Sequence, residues 1–193
     1  MGTQAVHLAL MFVSAMFTQM SWGAATSPEG TWKSNCLGGT TVSTFLFADD
    51  GSFDRTERQY LEHDCTKDGI EFRYRGQWST ESSDSFTRSG PLPLDLELAS
   101  VQVTLLDSFL VWSHNLTKFC GYSDWTVGQP KDVTGLDCQG LKVPPKGDLL
   151  HTIFNLEDKM LLLGRGDDKH PGDLPSTRHI ELANDHPLFL QNP

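Results

Sequence analysis

The chain has 193 residues and carries 25 acidic against 15 basic side chains, a formal net charge of −10 at pH 7. That balance excludes the basic footprint with which a domain tracks nucleic acid, and it works against adhesion to anionic surfaces. Charge is silent on fold, which the hydrophobic pattern reports instead.

Residues 1–25 contain no Lys, Arg, Asp or Glu. Their centre, Leu8 to Phe17, is an apolar run of about ten residues, too short to span a bilayer. Small residues at Ser21, Gly23, Ala24 and Ala25 suit signal-peptidase cleavage after Gly23 or after Ala25, although the segment ahead of the apolar run lacks a basic side chain. The expectation is an exported protein, secreted to the extracellular space or, in a bacterium, to the periplasm, with 26–193 forming one domain. No later stretch approaches the roughly 20 apolar residues of a transmembrane helix.

Beyond the leader the pattern is that of strands. Thr40–Phe47 and Ser52–Tyr60 are β-prone segments on either side of Ala48-Asp49-Asp50-Gly51, whose Asp-Gly pair signals a hairpin. Asp68-Gly69 marks the next turn. In the following run Ile70, Phe72, Tyr74 and Trp78 face one side while Glu71, Arg73, Arg75 and Gln77 face the other, as a sheet with one dry and one wet face requires. Further strands are expected at Leu94–Leu98, Val101–Leu106, Phe109–Thr117, Leu150–Leu156, Met160–Leu163 and Thr177–Leu182, with joints at Asp107-Ser108 and Glu157-Asp158-Lys159. Cys120 to Asp148 is rich in Gly, Pro and Asp and reads as a long ordered loop that needs a staple or a task. With about seven to nine strands and no amphipathic helix of twelve residues, the fold class is all-β, an antiparallel barrel or sandwich. A closed barrel is preferred because closure removes the edges.

Four cysteines, Cys36, Cys65, Cys120 and Cys138, are an even count in an exported chain and read as two disulfides. Of the three connectivities, Cys36 with Cys65 and Cys120 with Cys138 is favoured, because each pair brackets its own stretch of hairpin and loop. Each bridge would contribute roughly 3–4 kcal/mol if the entropic account holds. No C-x-x-C and no Cys/His spacing of the zinc type is present, and Asp167, Asp168, His170, Asp173, His179 and His186 in the tail lack a ligand spacing. No metal and no cofactor are expected.

The candidate ligand-contacting residues lie on the dry face. They are Phe72, Tyr74 and Trp78 and, if the parity of Phe109–Thr117 is that of a strand, Leu110, Trp112, His114 and Leu116, with Tyr74 and His114 as polar anchors. Asn115-Leu116-Thr117 is an acceptor sequon for glycosylation, and that parity turns Asn115 outward. Barrels of about eight strands either fill with side chains or hold one small ligand, and alternation is the same in both cases. Enzyme motifs are missing: there is no G-x-S-x-G, H-E-x-x-H, P-loop or dinucleotide fingerprint, and Gly121-Tyr122-Ser123-Asp124-Trp125 breaks the elbow pattern at its last position. A non-catalytic protein is expected. Arg165-Gly166-Asp167 follows a strand and offers an adhesion-type tripeptide on a loop.

Two resemblances sharpen this reading. Gly30-Thr31-Trp32 resembles the G-x-W start of lipocalins and their calycin relatives, in which the Trp plugs one end of the barrel. The longer series Gly30-Thr31-Trp32-x-Ser34-x-Cys36, Phe45-x-Phe47, Phe53, Tyr60, Cys65, Tyr74 and Gly76 continues with Cys120-Gly121, Trp125, Gly128, Asp132-Val133-Thr134, Cys138 and Leu161-Leu162-Leu163-Gly164. It resembles the domain of the adenomatosis polyposis coli down-regulated family, glycoproteins that inhibit Wnt signalling. The resemblance implies a β-barrel with a hydrophobic cavity able to hold a lipid chain, and cysteines paired within the domain. Members of that family carry two such domains and a membrane anchor, whereas this chain has room for one domain and shows no anchor, so Wnt antagonism does not transfer with the fold.

Two functions are therefore expected to compete. The first is a secreted binding protein that holds a fatty acid or lipid-modified peptide in its barrel, its partner being an apolar small molecule or a lipid-modified protein. The second is a protein-interaction or adhesion module with a filled core, meeting an extracellular protein through its loops.

Overall fold

The computed structural model describes residues 27–80 and 90–191, and the expected signal peptide lies outside them. In chain order the strands are β1 (Gly30–Ser34), β2 (Thr41–Phe47), β3 (Ser52–Tyr60), β4 (Asp68–Ser79), β5 (Leu92–Leu105), β6 (Pro130–Asp132), β7 (Asp137–Cys138), β8 (Leu141–Lys142), β9 (Leu149–Glu157), β10 (Met160–Arg165), β11 (Glu181–Leu182) and β12 (Leu188–Leu190). One α-helix, α1 (Ser108–Thr117), follows β5.

Eight of the strands close into an antiparallel barrel. Strands β1 to β5 form a meander, β9 lies against the first half of β5, β10 against β9, and β12 between β10 and β1. The all-β barrel expected from alternation is therefore what the chain forms. Both disulfides join the expected partners, Cys36 with Cys65 and Cys120 with Cys138. The wet face of β4 is the outer wall, where Arg73 and Arg75 meet Asp54 and Arg58 meets Glu71 across the β3–β4 pair.

The two expected strands at 94–98 and 101–106 are one strand, β5. Its pairing with β4 shifts between Arg75↔Ser100 and Gly76↔Leu98, leaving Ala99 as an extra residue. A one-residue bulge restores parity, so Leu94, Leu96 and Leu98 before it and Val101, Val103 and Leu105 after it are all buried. Gly76 sits at the bulge because the backbones nearly touch there. A Cβ on it would lie 1.9 Å from the carbonyl oxygen of Glu97 and 2.7 Å from Cε1 of Phe53.

Phe109–Thr117, expected as a strand, is helical, and the reason is local. Asp107, read as a joint, is an N-cap whose side chain accepts from the amides of Phe109 and Leu110 at 2.8 and 3.1 Å. Such a cap satisfies amides that a helix start otherwise leaves unpaired. The helix ends where Lys118 turns left-handed at φ 51°. After it the chain makes the excursion Phe119 to Asp148, stapled by Cys120–Cys138. Phe119, Trp125, Val133 and Val143 pack on Phe72, Val101, Val103 and Leu105. The excursion thus covers the inner face of β4 and β5 where these strands outrun β9, and β6 takes the vacant edge of β5 by pairing with Gln102 to Thr104.

Gly76→Ala is expected to lower stability by about 1–3 kcal/mol through overpacking at the bulge, which is roughly 2–4 °C in Tm for each kcal/mol in a chain of this size. A thermal melt that does not move would show that the two backbones are not held this close.

Candidate functional site

The barrel interior is divided into a filled half and a hollow one. In the filled half Trp32, Phe47, Phe53, Leu94, Phe154 and Leu161 form a contiguous buried cluster. Phe47 stacks on Phe45 with centroids 5.8 Å apart and meets Trp78 edge-on at 5.9 Å. The indole of Trp32 donates to the Pro28 carbonyl at 2.7 Å, so the polar atom of this buried ring is satisfied.

The other half holds a cavity of about 500 Å³. Phe45, Leu96, Leu150, Leu163 and Leu188 give it apolar walls, and Ser43, Thr152, Arg55, Glu57 and His179 add polar ones. Leu37, Gly38, Thr41, Gly164, Ala183 and His186 complete its lining, with Gly38 and His186 exposed at the surface. The Cys36–Cys65 bridge anchors this rim, tying the β1–β2 connection that carries Leu37 and Gly38 to the β3–β4 connection.

Arg55 and Glu57 lie two apart on β3, on the same side as buried Phe53, and so point inward. Nη2 of Arg55 donates to Oε2 of Glu57 at 2.7 Å. The guanidinium carbon lies 5.3 Å from the ring centroid of Phe45 and 5.1 Å from that of Tyr74, within cation–π range of both. Burial pushes the Tyr74 phenol above its ordinary pKa, with the Arg55 charge pulling the other way.

One wall is built where two strands part. The β9–β10 ladder reaches Leu163↔Phe154; beyond it Gly164 and Arg165 pair with β11, and the His151 amide donates to the Gly172 carbonyl at 2.7 Å. The segment between fills the gap. His179, buried there, places Nδ1 2.9 Å from the Thr152 hydroxyl and Nε2 3.3 Å from the Pro171 carbonyl. A carbonyl only accepts, so Nε2 carries a hydrogen. Gly164 permits this packing, since a Cβ on it would lie 2.5 Å from the Thr152 hydroxyl oxygen and 2.7 Å from Cβ of His179.

The neighbour of His179 clamps the segment from outside. Nη1 of Arg178 donates to Oδ1 of Asp95 at 2.6 Å and to the carbonyls of Thr152 and Leu94 at 2.9 and 3.2 Å. Nδ1 of His151 bonds the same Asp95 oxygen at 2.8 Å. Burial raises the Asp95 pKa, but the hydrogen bonds from Arg178 and His151 outweigh it and hold the carboxyl below its ordinary value.

None of the seven residues expected to contact a ligand is among those lining the cavity. Phe72, Tyr74 and Trp78 do face inward: Phe72 belongs to the cluster under the excursion, Tyr74 bridges both clusters, and Trp78 donates to the Ala48 carbonyl at 3.0 Å beside the filled half. Leu110, Trp112, His114 and Leu116 do not form an inner face, because their segment is a helix. Trp112 and Leu116 are 58% and 65% exposed, Leu110 is half-buried, and His114 stacks edge-on against Phe119 at 4.4 Å. The parity that turned Asn115 outward fails with the strand. Asn115 is half-buried, and its amide donates to the carbonyl of Trp125 and accepts from that residue's N–H, at 3.0 and 2.6 Å. In the tripeptide 165–167, Arg165 bonds Asp185, while Asp167 accepts from the amides of Lys169 and His170 at 2.7 Å each. Among the described residues no three His, Cys, Asp or Glu side chains converge as a metal site would need.

The cavity residues escaped the sequence reading for one main reason. Charged residues at alternate strand positions are normally assigned to water, and Arg55 and Glu57 break that rule. The available signal was their shared parity with Phe53. Compared with known proteins, the chain matches no protein-family model and no curated protein.

Two outcomes follow from this geometry. Trp112→Asp, a change on an exposed helix face, is expected to shift stability by no more than about 0.5 kcal/mol, measured by urea denaturation; a large loss would place the indole in a core. Because the folded pKa of Asp95 is lowered, its contribution is present at neutral pH and is lost as pH falls below about 4 toward that folded value. Asp95→Asn is expected to cost roughly 1–3 kcal/mol at pH 7. In melts recorded from pH 7 to pH 3 the gap to wild type should narrow with acid, and a constant gap would argue against the ionised clamp.

Proposed function

We propose that the protein is a secreted, non-catalytic binding protein that takes an apolar ligand, a fatty acid or the acyl chain of a lipid-modified peptide, into the hollow half of its barrel. The carrying observation is the cavity of about 500 Å³, whose walls set Phe45 and the buried or half-buried Leu96, Leu150, Leu163 and Leu188 beside polar side chains. Its size falls within the roughly 300–1,000 Å³ typical of small-molecule sites. Burying a chain there contributes about 0.8 kcal/mol per methylene, so ten methylenes supply about 8 kcal/mol before the costs of association are subtracted.

Export is supported by the two disulfides, which persist in oxidising compartments. Among the described residues no helix is long and apolar enough to cross a membrane. The resemblance to the adenomatosis polyposis coli down-regulated domain supports the same reading, since it implies a lipid-holding barrel with cysteines paired inside the domain.

A second reading, a protein-interaction module, draws on α1. Phe109, Trp112 and Leu116, spaced at i, i+3 and i+7, are 66%, 58% and 65% exposed and form an apolar stripe on one helix face. The tripeptide 165–167 lends this reading less, because both of its charged side chains are engaged within the chain.

Titration of the delipidated protein with a fluorescent fatty acid and with its methyl ester is expected to show saturable binding of one ligand per chain for at least one of the two. Leu163→Trp, which adds volume at the cavity wall, should weaken it by about tenfold or more, given the 1–3 kcal/mol usual for overpacking. A folded wild type that binds neither probe would overturn the reading in favour of the interaction module.

A further inference from the structure

Two charges inside a barrel demand an account. Arg55 and Glu57 lie against the cavity, with side chains 34% and 22% exposed. A half-buried ion pair adds little to stability, because solvent screens the attraction and two long side chains must be held in one geometry. This pair is also incompletely satisfied. Among the described residues, Nε of Arg55 is the buried side-chain polar atom that lacks a hydrogen-bond partner. A buried donor left unpaired is destabilising. Nε is sealed from the cavity, but Nη1 makes no hydrogen bond among the described residues and the side chain keeps 34% of its surface exposed, so a ligand that brings an acceptor to that edge gives the pair a reason that stability alone does not.

Resting on the proposed function, we infer that Arg55 and Glu57 form the polar anchor for an uncharged amphiphile, an acyl ester or amide, and select it over a free fatty acid. The guanidinium, held between the rings of Phe45 and Tyr74 and fixed at Nη2 by Glu57, donates to the ligand carbonyl. The acyl chain lies along Leu96, Leu150, Leu163 and Leu188. Glu57 provides the selection. It neutralises Arg55, so a ligand carboxylate would gain little from the cation while standing beside a second carboxylate in a site of reduced dielectric, where like charges are unfavourable. A neutral carbonyl has no such penalty, and an amide can also offer its N–H to Glu57. Ser43 and Thr152, the wall hydroxyls, tolerate either head group and so do not choose between them.

The test uses two probes that differ only in the head group, 11-(dansylamino)undecanoic acid and its N-methylamide, titrated at pH 8 into the delipidated full chain. Wild type is expected to bind the amide at least about tenfold more tightly, the scale of one hydrogen bond to a charged group. Glu57→Gln should erase or reverse the preference by freeing the cation for the carboxylate. Arg55→Met should weaken amide binding by about tenfold or more. If either single variant fails to fold, the double variant Arg55→Met/Glu57→Leu, which replaces both charges with apolar groups, should fold and bind both probes without preference. Equal or tighter binding of the acid by wild type, or an amide preference that survives in the double variant, overturns the inference while leaving an apolar-ligand carrier standing. Binding of neither probe removes both.

Discussion

Strand β5 is longer than the barrel wall it belongs to, and much of the architecture answers that fact. Its 14 residues need hydrogen-bond partners on both edges, and β4 supplies one edge along most of its length. The other edge is shared. Strand β9 pairs with Leu92 to Glu97, and β6 takes over at Gln102 to Thr104. The inner face of the overhang, carrying Val101, Val103 and Leu105, would meet water without cover. The stapled excursion provides that cover with Phe119 and Trp125, and Cys120 and Cys138 are buried in the same cluster. Because the excursion packs against the β4–β5 side, the remaining hollow lies between β2, β3, β9 and β10.

The interior is consequently neither a solid core nor an empty can. Aromatic rings are concentrated at one end, where Trp32, Phe47, Phe53 and Phe154 meet. Toward the other end the inward positions of β2 and β3 change from the pair Phe47 and Phe53, through Phe45 and Arg55, to Ser43 and Glu57. Smaller or more polar side chains at those positions cannot meet across the barrel, and the hollow is what they leave. The same transition gives the cavity its character, with leucines on one wall and an ion pair on the other.

What could be read from residues alone followed the range of the interactions. Strands β2, β3, β4, β9 and β10 and their turns depend on alternation and nearest-neighbour hairpins, which are local signals, and both disulfides bracket short stretches for the same reason. Phe109–Thr117 was misread because Leu110, Trp112, His114 and Leu116 satisfy a period of two while Phe109, Trp112 and Leu116 satisfy a helical one. Only the role of Asp107 as a cap separates the two. The unity of β5 was hidden by its bulge, since Ala99-Ser100 looks like a break between strands until the partner's register is known. Strand β12 is three residues paired to elements far away in sequence, and nothing local announces it. The candidate site was least legible. It depends on which face of β3 turns inward and on the parting of β9 from β10, and both are properties of the closed sheet.

Closure has a temporal side. Strand β12 follows every other barrel strand in chain order, yet it pairs with β1 on one side and β10 on the other. A chain emerging from its N-terminus can zip the meander and form each disulfide, but the nascent cylinder keeps a lengthwise slit until residues 188–190 arrive. Both lips of that slit are rows of unpaired amides and carbonyls, the kind of edge that recruits strands from other molecules. The filling strand is three residues long, so the same segment from a second copy presents the same pairing groups to that slit.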